Sequence, residues 1–388
     1  MLVIMIVSLV LLSLAFIVYL LYYAFIYRRT SEISKYLKAV EDVQNSNVYL
    51  PSISVIVNVY NEAKIIRRKI ENISHFDYPL DKLEVLVIDD CSVDETGAIA
   101  ERALAEFKIK GRVLRNSVRL GLNASLNLAI ANASNDLICV TDSDVLLDSQ
   151  ALKNAVSVLE GFPDTGGVTG KIVPIYSEKS VATLSEDSYR VFYDRCMLSE
   201  SSIHSAFPGN GPLMVFRKEL VKSIPTDYGS TDANIAITVV KKGRRMLYVP
   251  NALIYEPVPE TVGQQRLQKI RRAKRLIQVF TRNLGVFGQR KFGAFGTLIF
   301  PLKFFMHVVC PFLFFLGTAL FLMAIALSNS LLLQGTFLLL IFLLLVALAA
   351  ASRFRRLFFS FILHQAYLFA GLLLSFRKGL YWQTVKRV

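Results

Sequence analysis

The sequence predicts an α/β fold: a doubly wound, mostly parallel sheet inserted between transmembrane α-helices. Composition is the first sign, because 53% of the 388 residues are hydrophobic and mean hydropathy is +0.45, too apolar for an ordinary soluble domain. The second is where that apolarity lies, in long uncharged stretches at both ends of the chain. The third is the mixed polar middle, roughly 30 to 290, where short apolar runs alternate with amphipathic segments, the pattern of strands and helices in turn.

Met1 to Tyr27 contains no charge, and Arg28 and Arg29 follow. That length spans a bilayer. A basic start and a small-residue cleavage site are both missing, so the segment reads as a retained helix. At the other end Phe304 to Leu327, Leu331 to Ala351 and Leu357 to Phe376 have spanning length. Basic residues crowd beside these spans: Arg28, Arg29, Lys35 and Lys38 after the first, and Lys269, Arg271, Arg272, Lys274, Arg275, Arg282, Arg290 and Lys291 before the second. The insert is therefore expected in the cytoplasm of an integral plasma-membrane protein. If all three C-terminal stretches cross, the tail with Arg377, Lys378, Lys386 and Arg387 lies outside. Either the last stretch is re-entrant or interfacial, or the charge rule is broken there. The expected organisation is an N-terminal membrane helix (1–28), a cytoplasmic domain (50–255), amphipathic interfacial helices (256–300) and two or three C-terminal membrane helices (301–388).

Within the insert, ISVIVNV (53–59), LEVLVID (83–89), RVLRN (112–116) and DLICVTD (136–142) read as strands. Helical periodicity starts at Glu62, Asp94 and Leu122. Strand and helix in alternation imply a sheet covered on both faces, with ligands bound beyond the carboxyl ends of its strands. Those ends carry YNEA (60–63), DDCSVDET (89–96) and TDSD (141–144). Any one cluster reads as a helix cap. Together they place carboxylates on one rim, where mutual repulsion calls for a cation. A hard divalent ion, Mg2+ or Mn2+, held by Asp142 and Asp144 and completed by substrate phosphates, meets that need.

The net charge of +14 sits largely beside the spans and suits an anionic leaflet. No nucleic-acid module is present, so no nucleic-acid partner is expected. The four cysteines lack CxxC spacing, and the four histidines lack ligand spacing. A transporter would place ionisable groups in its spans and repeat its halves; only Lys303, His307 and His364 qualify, and no repeat is visible.

The ordered blocks VIVNVYNEA, VIDDCSVDET, GLNASLNLA, VTDSDVLL, GNGPLMVFRKEL, STDAN, YEPVPET and QKIRR resemble the family 2 glycosyltransferases of GT-A fold, in the membrane-embedded branch with cellulose and hyaluronan synthases and lipid-linked sugar transferases. The resemblance covers about 55 to 300. It implies that Tyr60, Asn61 and Glu62 line the nucleotide pocket and that Asp90 lies by base and ribose. It makes Asp142 and Asp144 the DxD pair that holds metal and donor diphosphate. Asp232 becomes the general base, Gln268, Arg271 and Arg272 the block near the leaving group, and Gly211 a residue on the acceptor side.

The sequence departs from the family at four places. Asn58 stands where Pro is frequent, Leu122 replaces a lysine, Thr231 replaces the Glu before the base, and Arg272 replaces a tryptophan. That last change favours a single transfer over chain extension. The resulting expectation is inverting, metal-dependent transfer of a hexose from a nucleotide diphosphate sugar, GDP-mannose or UDP-glucose, to a lipid or lipid-linked acceptor. A processive polysaccharide synthase is the alternative, and a non-catalytic membrane binding protein or transporter the alternative of another class. Two further expectations concern the membrane edge. Leu267, Ile270, Leu276 and Ile277 should face lipid from an interfacial helix, and the segment 291–305 should form an entry beside the site.

Overall fold

The computed structural model describes residues 1–46, 49–176, 181–257, 262–331, 334–339, 342–343 and 351–376. Among these residues eight strands form one sheet: β1 (Ile53–Val59), β2 (Leu83–Asp89), β3 (Gly111–Arg115), β4 (Leu137–Asp142), β5 (Leu146–Leu147), β6 (Thr165–Ile175), β7 (Met214–Arg217) and β8 (Arg245–Pro257). Their order is β3-β2-β1-β4-β7-β6-β8-β5. The first four are parallel neighbours, as their βα connections require. The sheet is mostly parallel as expected, since β6 and β8 also run parallel, and antiparallel pairs enter at two places. β7 fills the slot between β4 and β6 and runs against both, and β5 runs against β8. Four- and two-residue strands carry no directional signal, so this mixed character is set by tertiary pairing.

Alternation along β1 divides the sheet's faces. Ile53, Val55, Val57 and Val59 point to a core shared with α3 (Ile66–Ser74), α4 (Thr96–Glu106) and α6 (Ala151–Gly161). Ile56 points the other way, toward α5 (Leu122–Asn132), α8 (Thr231–Lys241) and a second core. That second core continues into Tyr22, Phe25 and Ile26 of α1 (Leu2–Tyr27), Phe280 of α9 (Val262–Arg282), and Phe295, Ile299 and Phe300. One apolar interior thus joins the sheet to the feet of the apolar helices.

Among the described residues three helices are long and apolar enough to cross a bilayer: Leu2–Tyr27, Phe295–Ala326 and Phe358–Ser375. The helix Ser352–Ser375 packs on α9 at Gly371, where a Cβ would lie 2.8 Å from the Ala273 Cβ and from the Lys274 amide nitrogen. Most of the stretch 331–351 and the basic tail from Arg377 lie outside the described residues.

Both expectations for the membrane edge change. Ile277 is fully buried and Leu276 packs against the second core, while Leu267 stays exposed. An amphipathic pattern does not reveal whether its apolar stripe meets lipid or protein, and here much of it meets protein. The segment 291–305 is likewise filled: Phe292, Phe295, Ile299 and Phe300 are buried. Gly296 is needed for that packing, because a Cβ there would fall 2.4 Å from the Gln289 carbonyl oxygen.

Candidate active site

Strand register gathers the acidic blocks. Val59 pairs with Asp89, and Asn58 with Asp142, so the ends of β1, β2 and β4 are level. The turn after β1 is fastened to the start of α4. The Asn61 N–H donates to the Ser92 hydroxyl at 2.9 Å, the Glu62 N–H to Thr96 Oγ1 at 2.8 Å, and the Ala63 N–H to Asp94 Oδ2 at 3.3 Å. Asn61 adopts φ 54°, a left-handed conformation that Asn tolerates better than most residues, and its side-chain oxygen accepts the Val93 N–H at 3.0 Å. Asp94 also accepts the Thr96 N–H at 3.1 Å, so it does serve the α4 terminus.

Asp90 is buried, and its carboxylate accepts from Leu120 N at 2.7 Å, Gly121 N and Asn116 Nδ2 at 2.9 Å, and the Ser125 hydroxyl at 3.1 Å. These bonds fix the 116–121 loop. They also place Arg119, whose guanidinium lies 3.7 Å over the Tyr60 ring and whose Nε is 4.0 Å from Asp90. Tyr60, Arg119 and Asp90 thereby form one wall. A cation on an aromatic face is worth ~0.5–2 kcal/mol.

Asp142 ends β4 and Asp144 lies in the turn that follows; both residues are half-buried, set between buried Thr141, Ser143 and Val145. Beneath them lies Lys69, fully buried. Its ammonium donates to Thr141 Oγ1 at 2.8 Å and to the Val145 carbonyl at 3.1 Å, bonding both shoulders of the acidic turn. Burial lowers this lysine to about 7, against the pull of Cys139 and Asp142. The residues fit a divalent ion completed by phosphates. Two half-buried carboxylates one residue apart supply hard oxygen ligands and leave the rest of the coordination to the substrate. Asn58, in register with Asp142, keeps a buried side-chain oxygen with no hydrogen-bond partner.

α9 closes the site. Arg271 is lowered to about 10 by burial and by the neighbouring Arg275 and Arg272, while the Asp142 charge opposes that shift. Gln268, one turn earlier, is buried. Arg272 points elsewhere, donating to Glu256 Oε1 at 3.1 Å. Glu256 also pairs with Arg190 at 3.4 Å, and Arg190 with Glu186 at 3.0 Å. This network ties α7 (Val181–Ile203), β8 and α9 together.

Asp232 stands in the first turn of α8. Burial raises its carboxyl, opposed by hydrogen bonds from Ser230 and the Ala233 N–H and by the Arg272 charge. Gly211 is its neighbour, since a Cβ there would sit 3.8 Å from the Asp232 Cβ. Thr231 is drawn away from the site: its hydroxyl donates to Asn123 Oδ1 at 2.7 Å.

The 207–211 loop beside Asp232 is held from two sides. The Asn210 N–H donates to Thr169 Oγ1 at 2.7 Å. Behind it the Glu200 carboxylate accepts the Phe207 N–H at 3.0 Å and pairs with Lys303 at 2.6 Å, while the Lys303 ammonium also donates to the Phe207 carbonyl.

Sequence reasoning missed Lys69, Arg119, and the partners Glu256 and Glu200. Lys69 left a trace, since it shares the apolar face formed by Ile66, Ile70 and Ile73 of α3. Arg119 left none, lying in an irregular loop. Of the acidic and basic candidates, Asp142 and Arg271 are brought within electrostatic reach of one another, as are Asp232 and Arg272.

Comparison with known proteins relates this α/β fold with its acidic rim to glycosyltransferases. Residues 54–224 match the profile "Glycosyl transferase family 2". The chain is 26% identical over 278 residues to "Probable glycosyltransferase YdaM" of Bacillus subtilis (strain 168), covering 69% of this chain and 64% of that protein. It is 25% identical over 248 residues to "Poly-beta-1,6-N-acetyl-D-glucosamine synthase" of Staphylococcus epidermidis, covering 62% and 58%. These matches span less than two thirds of each curated relative. A solved structure, "Mannosyltransferase PcManGT from Pyrobaculum calidifontis in complex with GDP-Man and Mn2+", superposes with a TM-score of 0.71 at 26% identity, over 96% of this chain and 98% of that one. The fold is thus that of the GT-A glycosyltransferases, and the 54–224 segment, less than half of the chain, matches glycosyl transferase family 2.

Proposed function

We propose that the protein transfers a hexose, with inversion, from a nucleotide diphosphate sugar to a lipid or lipid-linked acceptor at the cytoplasmic face of the plasma membrane. GDP-mannose and UDP-glucose are the donors we favour. The observation that carries this reading is the double role of α9: one face brings Arg271 toward Asp142, and another packs on the apolar helix Ser352–Ser375. Chemistry built around α9 works at the edge of a bilayer.

In this reading Tyr60, Asn61, Glu62, Asp90 and Arg119 form the nucleotide wall, and Asp142 and Asp144 hold Mg2+ or Mn2+. When bound, that ion neutralises the diphosphate and stabilises the charge gathering on it. Arg271, with Gln268 beside it, adds fixed positive charge to the same leaving group. Asp232 accepts the proton of the acceptor hydroxyl, whose oxygen bonds to the anomeric carbon as the bond to the diphosphate breaks. With one base and no second carboxylate placed as nucleophile, attack from the face opposite the diphosphate inverts the centre. The similar Pyrobaculum calidifontis structure, titled with GDP-Man and Mn2+, supports both donor class and metal.

The test is a thermal-shift panel of nucleotides, with and without Mn2+, on the detergent-solubilised chain. A ligand at a hundred times its Kd stabilises by ~2.7 kcal/mol. The matching nucleoside diphosphate should shift the wild type only with metal present. Asp142→Ala and Asp144→Ala should lose the metal-dependent part, and an unchanged shift rejects the metal assignment. A processive synthase is the second reading, favoured by the Staphylococcus epidermidis relative. Product length decides between them, and the Arg272–Glu256 pair, standing where processive enzymes carry an aromatic, favours one addition.

A further inference from the structure

A groove of about 210 Å³ opens between α1, α7 and the helical run Phe295–Ala326. Its walls are Phe16, Tyr19, Leu20 and Tyr23 of α1, Phe192 of α7, and Met306. Two of these three elements are long and apolar enough to cross a bilayer, so the groove faces hydrocarbon.

The aromatic wall runs on from the groove to a pair of cations. Tyr23 stacks on Tyr27 with ring centroids 4.2 Å apart, and the Arg195 guanidinium lies 4.9 Å over the Tyr27 ring. Arg29 lies 4.9 Å over Phe25. Arg195 follows Phe192 by three residues on α7, so both sit on one face of that helix. Each guanidinium keeps a buried Nε without a hydrogen-bond partner. Their other contacts are slight: Arg195 donates to the Thr30 hydroxyl at 3.1 Å, and Arg29 reaches Glu32 at 3.5 Å. From Leu20 to Arg29 the helix rises ~13 Å, which carries the wall from hydrocarbon to the head-group zone. An apolar slot, an aromatic belt and under-used cations, in that order, complement a lipid with an anionic head.

We propose that this groove seats the tail of the lipid acceptor and that Arg195, with Arg29, binds its phosphate. The proposal rests on the lipid-acceptor reading above. What favours the acceptor over a bulk phospholipid is the next residue of α7. Tyr193 stacks on Tyr189 at 5.7 Å, and its phenol lies within reach of the Asp232 charge. Successive residues of α7 therefore line the slot and feel the charge of the catalytic base.

The test uses the full chain in phosphatidylcholine nanodiscs, irradiated with a long-chain polyisoprenyl phosphate bearing a tail diazirine, with labelled peptides mapped by mass spectrometry. Label is expected at 16–23 or around Phe192, displaced by unlabelled polyisoprenyl phosphate. Arg195→Gln should reduce labelling about tenfold, equivalent to ~1.4 kcal/mol, while the nucleotide–Mn2+ thermal shift reports that the variant is folded. Phe192→Trp, which narrows the slot without touching the cation, should also reduce it. Equal displacement by phosphatidylglycerol, or label unchanged in both variants, overturns the proposal. Sugar transfer to a probe with the same diazirine tail and a sugar carried on its phosphate separates the two readings. Transfer without groove label overturns the groove alone, and groove label without transfer overturns the acceptor reading on which it rests.

Discussion

Lys303→Met removes the cation that faces Glu200, in a place where water is excluded: Glu200 is 0% and Lys303 4% exposed. Removing one partner of a buried ion pair costs about 3–5 kcal/mol, mostly because the other charge remains buried and uncompensated. Glu200 keeps two donors, the Tyr22 hydroxyl at 2.5 Å and the Phe207 N–H at 3.0 Å, which points to the lower end, ~3 kcal/mol. At ~2–4 °C per kcal/mol for a domain of 150–250 residues, the apparent Tm should fall by ~6–12 °C. Adding Glu200→Gln removes the stranded charge and leaves an amide oxygen for the Phe207 N–H, so the double variant should regain more than half of that loss. The assay is thermal unfolding of the detergent-solubilised chain at fixed scan rate, read by a thiol-reactive dye that reaches Cys139 and Cys196, both buried. A double variant as unstable as the single one would refute the charge argument. The cost would then lie in the lost bond to the Phe207 carbonyl and in packing.

Three further outcomes follow from the site. Asp232→Asn should keep metal-dependent nucleotide stabilisation while transfer falls ~100- to 10,000-fold. Because burial raises this carboxyl and only the deprotonated form serves as base, wild-type activity should decline with falling pH from above the usual carboxylate range; a limb near 4 contradicts the assignment. Lys69 is held at about 7 in the fold against ~10.4 in an unfolded chain. Between those values the unfolded state binds more protons, so this group makes stability rise with pH from about 7 to 10. The difference is worth at most ~5 kcal/mol. Lys69→Met should flatten the rise, as melting at pH 6.5 and pH 9 would reveal, and an unaltered slope excludes Lys69 as its source.

Chemistry carried by neighbours in the chain was legible in the sequence. ISVIVNV and LEVLVID coincide with β1 and β2, because a run of branched apolar residues buried on both faces has few other uses. The Asp142–Asp144 pair was equally plain, since an apolar run ending in two closely spaced carboxylates marks the end of a strand, and β4 ends at Asp142. Less legible was the membrane edge, where Ile277 read as lipid-facing and the segment holding Phe295 as an entry beside the site, and both residues are core.

Local pattern determined which residues are strands, which segments are apolar enough to cross a bilayer, and where the acidic rim stands. Tertiary structure alone decided the direction of β7, the pairing of Arg272 with Glu256, the lysine under the acidic turn and the Glu200–Lys303 lock behind Phe207. The reason is range. Lys69 meets Thr141 across 72 positions and Lys303 meets Phe207 across 96, and burial makes such partners obligatory without leaving any period or spacing in the chain to announce them.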